Sequence, residues 1–183
     1  MGRGSINQQA MNNFLAKIEG RALRIAEIAT VNRDDALDLV QEAMIKLTQH
    51  YGQKDEAEWG PLFHRILQSR IRDWYRRQRV RNRFRSWLGL SSNDEENDPI
   101  ANHSDRSAME PSSRLEADHF SLELEIALNA LPLRQQQAFL LRTWEGFDVA
   151  QTANAMDCSQ GSVKTHYSRA IHRLRGQLKE FRS

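Results

Sequence analysis

The chain has 183 residues, of which 39% are hydrophobic and 27% charged, with 26 Lys and Arg residues against 24 Asp and Glu. This length allows one large domain or two small ones, each able to bury a core. A single cysteine, Cys158, excludes a disulfide framework, and no run approaches the roughly 18 apolar residues of a membrane span. Because the polar start also lacks the apolar block of a signal peptide, we expect a cytoplasmic protein without membrane insertion. One cysteine and six scattered histidines do not form a zinc finger, so we expect no structural metal, and we expect no cofactor.

The composition predicts an all-α protein, because no stretch shows sustained two-residue alternation of β-branched residues. A first amphipathic helix surrounds Phe14 and Ile18, whose spacing of four places them on one face.

The second predicted helix has an apolar side and a polar side. Its apolar positions, from Leu37 to Tyr51, step by three or four residues, so they share the face that packs inward. Gly52 ends this helix. The candidate N-caps are Asn32, Asp34 and Asp35. The outward side carries Asp38, Gln41 and Glu42.

The third predicted helix begins near Pro61, a favourable first-turn residue, and runs to about Arg83. Residues 65–85 contain nine arginines and one aspartate, a net charge of +8. Arginines interleaved with aromatic rings suit a single nucleic-acid strand, since guanidinium groups contact phosphates and rings stack on unpaired bases. In the alternative interpretation, which the sequence leaves open, some of the rings are buried in the core and the arginines form a charged face without a specific ligand. The rings are Trp59, Phe63, Trp74, Tyr75 and Phe84.

Residues 86–119 have the composition of a flexible linker, because apolar periodicity is lost and Ser, Asn, Asp and Pro accumulate. Residues 86–120 hold eight acids and two arginines, a net charge of −6. We therefore predict two small helical domains, residues 8–85 and 120–180, joined by a flexible acidic linker. At about 34 residues, such a linker spans roughly 30 Å as a coil and about 110 Å when taut.

The second domain has the pattern of a helix-turn-helix unit, in which a short helix and a tight turn precede a longer basic helix. Asp148 is placed to cap the short helix, and the turn consists of Asp157, Cys158 and Ser159. Asp157 suits a turn because Asp tolerates left-handed backbone better than most residues. The predicted helices are one that ends at Pro132, then Gln135 to Trp144, Val149 to Met156, and Gln160 to Leu178.

The last helix is a candidate recognition helix. If Val163 and Tyr167 point inward, the polar residues of its first turns point outward, where such side chains read base edges in a major groove. Arg173 lies further along and suits a phosphate contact. The alternative is a solvated basic helix that ends a bundle. The outward residues are Gln160, Ser162, Lys164, Thr165, Ser168 and Arg169.

No enzyme motif occurs in the sequence. The phosphate-binding loop GxxxxGK[ST], the zinc motif HExxH and the nucleophile motif GxSxG are all absent, and no close His and carboxylate cluster is seen. Cys158 fits a small core residue better than a reactive thiol. We therefore expect a binding protein without catalytic residues.

Three segments resemble the extracytoplasmic-function group, or group 4, of bacterial RNA polymerase sigma factors. DDALDLVQEAMIKL at residues 34–47 is similar to the acidic helix of region 2. RILQSRIRDWYRR at residues 65–77 resembles the segment that captures and melts the −10 element. ALNALPLRQQQAFLLRTWEGFDVAQTANAMDCSQGSVKTHYSRAIHRLR at residues 127–175 is similar to region 4 almost position by position.

The resemblance implies a role for each segment. This chain departs from many relatives at two places. Ser69 stands where they carry Asn, and Asp157 with Cys158 stands where they carry Gly followed by a hydrophobic residue. The implied contacts with the clamp helices of the largest polymerase subunit are Asp38, Gln41 and Glu42. The implied −10 contacts are Arg65, Ser69, Arg70, Arg72, Trp74, Arg76 and Arg77. The implied −35 contacts are Arg142, Lys164, Thr165, Ser168, Arg169 and Arg173. The family also implies three partners: the flap of the second-largest polymerase subunit, promoter DNA and an anti-sigma factor.

Two other functions stay open on sequence alone. One is a stand-alone regulator that uses the helix-turn-helix to bind DNA and the first domain to dimerise or to contact a partner. The other is an RNA-binding protein that uses the arginine segment. The DLVQE helix and the arginine-aromatic segment argue against the regulator, and a pull-down with core polymerase would distinguish a sigma factor from it. An RNA-binding protein of the second kind would keep its binding after deletion of residues 120–183.

Overall fold

The chain folds into helices that pack as one body in the computed structural model, which describes residues 3–88 and 115–180. Within these ranges there are seven α-helices, one π-helical turn and no strand. The helices are α1 (Arg3–Thr30), α2 (Arg33–Tyr51), α3 (Glu56–Trp87), α4 (Leu115–Asn129), α5 (Leu133–Phe139), α6 (Val149–Met156) and α7 (Gln160–Glu180), with the π-helical turn at Leu140–Trp144.

The predicted helix starts depend on local hydrogen bonds that the structure shows. The side chain of Asn32 caps α2 by accepting a hydrogen bond from the backbone N–H of Asp35 at 2.9 Å. Asp148 and Gln151 form a reciprocal capping box at the start of α6, with distances of 2.7 and 2.9 Å. Both predicted caps are confirmed.

Helix α3 is longer than predicted at both ends. It begins at Glu56, so Pro61 lies inside the helix and removes the backbone bond to the carbonyl of Ala57. The helix tolerates this loss because Ala57 is exposed and water can reach its carbonyl. At the other end, α3 continues through Trp87, and α4 begins at Leu115, so helices enter both ends of the predicted linker. Residues 89–114 lie outside the described residues, and the prediction of a flexible linker falls mostly on them.

The single helix predicted from Gln135 to Trp144 is divided in the structure. After α5, the backbone N–H of Glu145 bonds to the carbonyl of Leu140 at 3.1 Å, five residues back. This wider turn ends the helix before Gly146, which has a positive φ of 69°. Such π-helical turns are frequent at functional sites.

The helix-turn-helix geometry is confirmed. Asp157 ends α6 in the left-handed region, with φ of 53° and ψ of 57°. The Ser159 hydroxyl then accepts the backbone N–H of Ser162 at 3.1 Å and caps α7. Val163, Ala170 and Leu174 form the buried side of α7.

Among residues 3–88 and 115–180, two residues other than glycine have positive φ, Val31 after α1 and Asp157 after α6, both at 53°. We expect Val31→Gly to raise the free energy of unfolding by about 1 kcal/mol, because a β-branched side chain is strained in this region. Asp157→Gly should gain less, since Asp tolerates left-handed backbone. Thermal unfolding of both variants, with Val31→Ile as the control, will check this order. A lower melting temperature for Val31→Gly would contradict it.

The two predicted domains share one hydrophobic core. A single cluster contains Ile25 and Phe63 from the first half of the chain together with Leu128, Leu140 and Leu174 from the second. Helix α3 packs on α6, and α1 packs on α4. The sequence predicted two small helical domains joined by a linker, and in the structure the two halves are closed against each other. A smaller second cluster lies inside the helix-turn-helix unit, around Met156 and Val163.

Candidate nucleic-acid interface

The outward face of α7 consists of the residues that the sequence predicted for base recognition. The hydroxyl of Thr165 donates to the carbonyl of Gly161 at 3.1 Å, which leaves its oxygen free to accept a further bond. No described carboxylate forms an ion pair with the cations of this face. The face therefore presents unpaired positive charge and hydroxyl groups to solvent. Its exposed residues are Lys164, Thr165, Ser168, Arg169 and Arg173.

His166, which the sequence analysis did not single out, lies half-buried beside this face. Burial, together with the positive charges of Arg134 and Arg169, lowers the pKa of His166 below its ordinary 6.5. The imidazole is therefore neutral near pH 7, so the charge of this part of the face comes from its arginines and lysine.

Arg142, a predicted −35 contact, is engaged inside the second half of the chain. Its guanidinium donates to the carbonyl of Phe147 and lies over the ring of Tyr167, at 5.7 Å from the ring centroid. These contacts connect the segment before α6 to α7. Arg142 therefore helps to hold α7, the candidate recognition helix, in position.

The predicted −10 residues lie along α3 with very different exposures. Arg65, Arg76 and Arg77 are exposed, and Ser69 is half-buried. Arg70 forms an ion pair with Glu42 of α2 at 3.6 Å. Arg76 pairs with Asp73 at 2.7 Å. The exposed guanidinium groups of α3 are thus accessible to a phosphate backbone.

Arg72 is the exception, because it faces the second half of the chain. Its guanidinium donates to the carbonyl of Met156 at 2.9 Å, and Arg134 donates to the same carbonyl at 2.7 Å. Burial, followed by the nearby charge of Arg134, lowers the pKa of Arg72. In the closed body, Arg72 therefore binds the end of α6, so it cannot contact DNA without leaving this position.

The aromatic residues of α3 divide into core and surface. Trp59 and Phe63 are fully buried, so the interpretation that they stack on bases is wrong for these two residues. Both rings lie on the apolar face of α3 that packs against α1 and α2. Burying a large ring there stabilises the fold more than leaving it exposed to water would. Tyr75 is half-buried and donates its hydroxyl to the carbonyl of Ala29 at 2.8 Å. Trp74 packs partly against the core, and Phe84 is exposed.

The polar face of α2 is exposed as predicted. Asp38, Gln41 and Glu42 all face solvent, while Leu39 and Ala43 are buried on the other side of the helix. This surface presents two carboxylates and an amide to a partner.

A buried contact between His64 and Glu145 joins the two halves of the chain, and it was not predicted from the sequence. His64 Nε2 of α3 lies 3.0 Å from Glu145 Oε2, which follows the π-helical turn, and both side chains are at most 5% exposed. Arg21 Nε of α1 lies 3.7 Å from the other carboxylate oxygen. Burial alone would raise the pKa of Glu145, but the hydrogen bond and charge of His64, with Arg21, outweigh it and lower the pKa below 4.5.

The described ranges contain neither a metal-binding cluster nor a membrane-spanning helix. No group of three or more His, Cys, Asp or Glu side chains suited to a metal ion occurs there. No helix of residues 3–88 and 115–180 combines the length and hydrophobicity needed to cross a bilayer.

The fold and this surface define a class of protein, a two-part helical DNA-binding protein with a C-terminal helix-turn-helix. Comparison with known proteins identifies the family. Residues 121–174 match the model of sigma-70 region 4. The RNA polymerase sigma-E factor of Streptomyces avermitilis is 31% identical over 157 residues, which cover 85% of this chain and 78% of that protein. Its counterpart from Streptomyces coelicolor is 29% identical over 160 residues, with the same coverage of 85% and 78%.

A solved structure extends the match to three dimensions. The sigma factor RpoE of Bartonella quintana, solved in complex with the anti-sigma factor NepR, aligns with a TM-score of 0.58 and 25% identity. The alignment covers 94% of this chain and 96% of RpoE. The chain belongs to the extracytoplasmic-function group of the sigma-70 family. It is an RNA polymerase sigma factor, a regulatory factor that directs promoter-specific initiation of transcription. A stand-alone regulator is not favoured.

Proposed function

We propose that residues 120–180 read the −35 element and that residues 8–85 bind both core polymerase and the −10 element, with residues 86–119 as the tether. In this proposal Lys164, Thr165, Ser168 and Arg169 contact base edges, and Arg173 contacts the backbone. The single observation that carries the proposal is the outward face of α7, which is exposed, cationic and capped by Ser159 at the end that enters a groove. The α3 residues Arg65, Ser69, Arg76 and Arg77 hold the −10 strand.

The closed body must open for both elements to be bound at once. A compact body of about 150 residues has a radius of gyration of roughly 15 Å and thus a diameter of about 40 Å. The two promoter elements are separated by nearly two turns of duplex, roughly 65 Å at about 34 Å per turn. We propose that opening also releases Arg72 from Met156, so that Arg72 becomes available to DNA.

In vitro transcription tests this function directly. The purified chain is added to core polymerase with a library of promoters, in the cytoplasmic salt range, and the start sites are sequenced. A sigma factor of this kind will produce defined start sites that share a −10 and a −35 sequence. Random start sites from a correctly folded chain would contradict the proposal.

The polar face of α2 is proposed to bind the clamp helices of the largest subunit. Replacing Asp38 and Glu42 together by lysine should weaken the complex with core polymerase at least tenfold, because each change places a positive charge where a negative one is needed. Fluorescence anisotropy of the labelled chain titrated with core polymerase will measure the change. Glu19→Lys, which alters an exposed carboxylate of α1, is the matched control. Equal affinities for the two proteins would contradict this assignment.

We also propose that an anti-sigma factor binds this chain. Support comes from RpoE, which was solved in complex with NepR and covers almost the whole chain. Such a partner would act on the surfaces of both halves that face polymerase.

A further inference from the structure

The last turns of α3 carry an apolar strip that has no partner among the described residues. Val80, Phe84, Trp87 and Leu88 are exposed by 64%, 58%, 79% and 48%. The rings of Phe84 and Trp87 lie side by side, with centroids 6.0 Å apart and planes tilted by 35°. Two exposed rings on one helix face are costly in water, so the strip points to a ligand.

The charges around this strip indicate which ligand it takes. Arg77, Arg79, Arg81, Arg83 and Arg85 are all exposed, and none of them pairs with a carboxylate in the described part of the chain. Arg83 lies four residues before Trp87, so the two side chains are neighbours on the helix. Stacking rings surrounded by unpaired guanidinium groups form the surface that binds unpaired nucleotides.

The strip also continues the face of α3 that was assigned to the −10 element. Ser69 and Trp87 are eighteen positions apart, which is about five turns of an α-helix, so they share one angular position about 27 Å apart. Arg76 and Val80 lie between them close to the same line, and Phe84 lies beside it. A strand held at Ser69 can therefore run along α3 to the two rings without crossing to another face.

We propose that Phe84 and Trp87 form a stacking site for unpaired bases of the promoter strand that flanks the −10 element, with Arg83 holding the adjacent phosphate. This inference rests on the proposed role of α3 and extends that role by several nucleotides. The site would lengthen the melted DNA segment that the sigma factor holds, because stacking on the rings replaces part of the base pairing and stacking lost when the duplex melts.

Equilibrium binding to oligonucleotides tests the site. The chain in complex with core polymerase is titrated with a single strand that carries the selected −10 element alone, or the same strand extended by eight dT nucleotides on either side. A third set replaces the extension with abasic nucleotides, which keep the phosphates and remove the bases. We expect one dT extension to tighten binding roughly fivefold to a hundredfold over its abasic counterpart. The double variant Phe84→Ala, Trp87→Ala should lose this gain.

Two controls separate stacking from other effects. Trp144→Ala removes another partly exposed indole, in the second half of the chain, and should keep the full gain. Arg83→Ala should weaken binding to the dT and abasic extensions alike, whereas Arg85→Ala, on the opposite side of α3, should not.

Several results would overturn the proposal. A double variant that keeps the gain, or a gain of equal size from the abasic extension, would show that the rings do not stack on unpaired bases. A double variant that no longer assembles with core polymerase would show that the strip docks on protein. Wild-type protein that binds no −10 strand at all would contradict the proposed function itself, whereas binding of the short strand without any gain contradicts the stacking site alone.

Discussion

Replacing Lys164 and Arg169 together by alanine is expected to abolish selection of the −35 element. Both cations lie on the exposed face of α7, and neither has a carboxylate partner among the described residues. A cation that contacts a base edge contributes about 1–3 kcal/mol of discrimination. Loss of two such contacts should weaken binding to the −35 duplex by about 3 kcal/mol, which is more than a hundredfold.

Promoter-dependent transcription in vitro measures this loss, with filter or fluorescence binding to a −35 duplex as the direct readout. Lys17→Ala, which removes an exposed cation of α1, is the control and should leave promoter choice unchanged. Since α7 keeps its buried side of Val163, Ala170 and Leu174, the double variant should melt at the wild-type temperature. If it selects the same −35 sequence as the wild-type protein, base readout does not occur on this face.

The salt dependence of binding separates the two kinds of contact on α7. Arg173→Ala should weaken binding equally for every sequence and should lower the slope of log affinity against log salt by about one. Arg169→Ala should instead change which bases are preferred. These two different responses would assign a backbone contact to Arg173 and a base contact to Arg169 without a structure of the complex.

The parts of the fold that depend on neighbouring residues could be predicted from the sequence. Caps such as Asn32 and Asp148 bond to N–H groups three residues away, and the turn at Asp157 needs only a residue that tolerates a positive φ. The exposure of Asp38 and Lys164 follows from helical periodicity once the apolar positions are known. Most of the candidate surface could therefore be predicted from residues that are close together in the sequence.

Contacts between the two halves could not be predicted, because they join residues far apart in sequence. Arg72 and Met156 meet only when α3 packs on α6, and an arginine run gives no sign of which guanidinium turns inward. One signal did exist for His64. It precedes Leu67 and Ile71 by three and seven residues, which places it on the buried face of α3. A buried imidazole calls for a polar partner, although the sequence does not name Glu145.

The pair of His64 and Glu145 is a buried electrostatic contact between the two halves, and it leads to a second large prediction. Removing one partner of a buried pair costs about 3–5 kcal/mol, and Arg21, which is largely exposed and lies 3.7 Å from Glu145, compensates little of the charge that remains. In His64→Ala the Glu145 carboxylate can escape this cost if the halves separate, because opening returns it to water. We therefore expect His64→Ala to shift the equilibrium toward the open form by at least a hundredfold.

The separation of the halves is measured by small-angle scattering or by energy transfer between dyes on α2 and α7 during a urea titration. His64→Ala should open at a lower urea concentration than wild-type protein. The double variant His64→Ala, Glu145→Gln should recover part of the loss, because no charge is left buried. If the single and double variants open at the same urea concentration, the pair does not hold the halves together.

Acid provides an independent check on the same contact. The pKa of Glu145 is lower in the closed body than its ordinary value of 4.5, so the carboxylate stabilises closure at every pH above that value. Its contribution disappears as the pH falls through the lowered pKa, when the carboxylate becomes protonated and loses its attraction to His64 and Arg21. Wild-type protein should therefore open more easily as the pH falls below 4.5, and Glu145→Gln should lack that part of the change. An acid response of equal size in both proteins would assign the opening to other carboxylates.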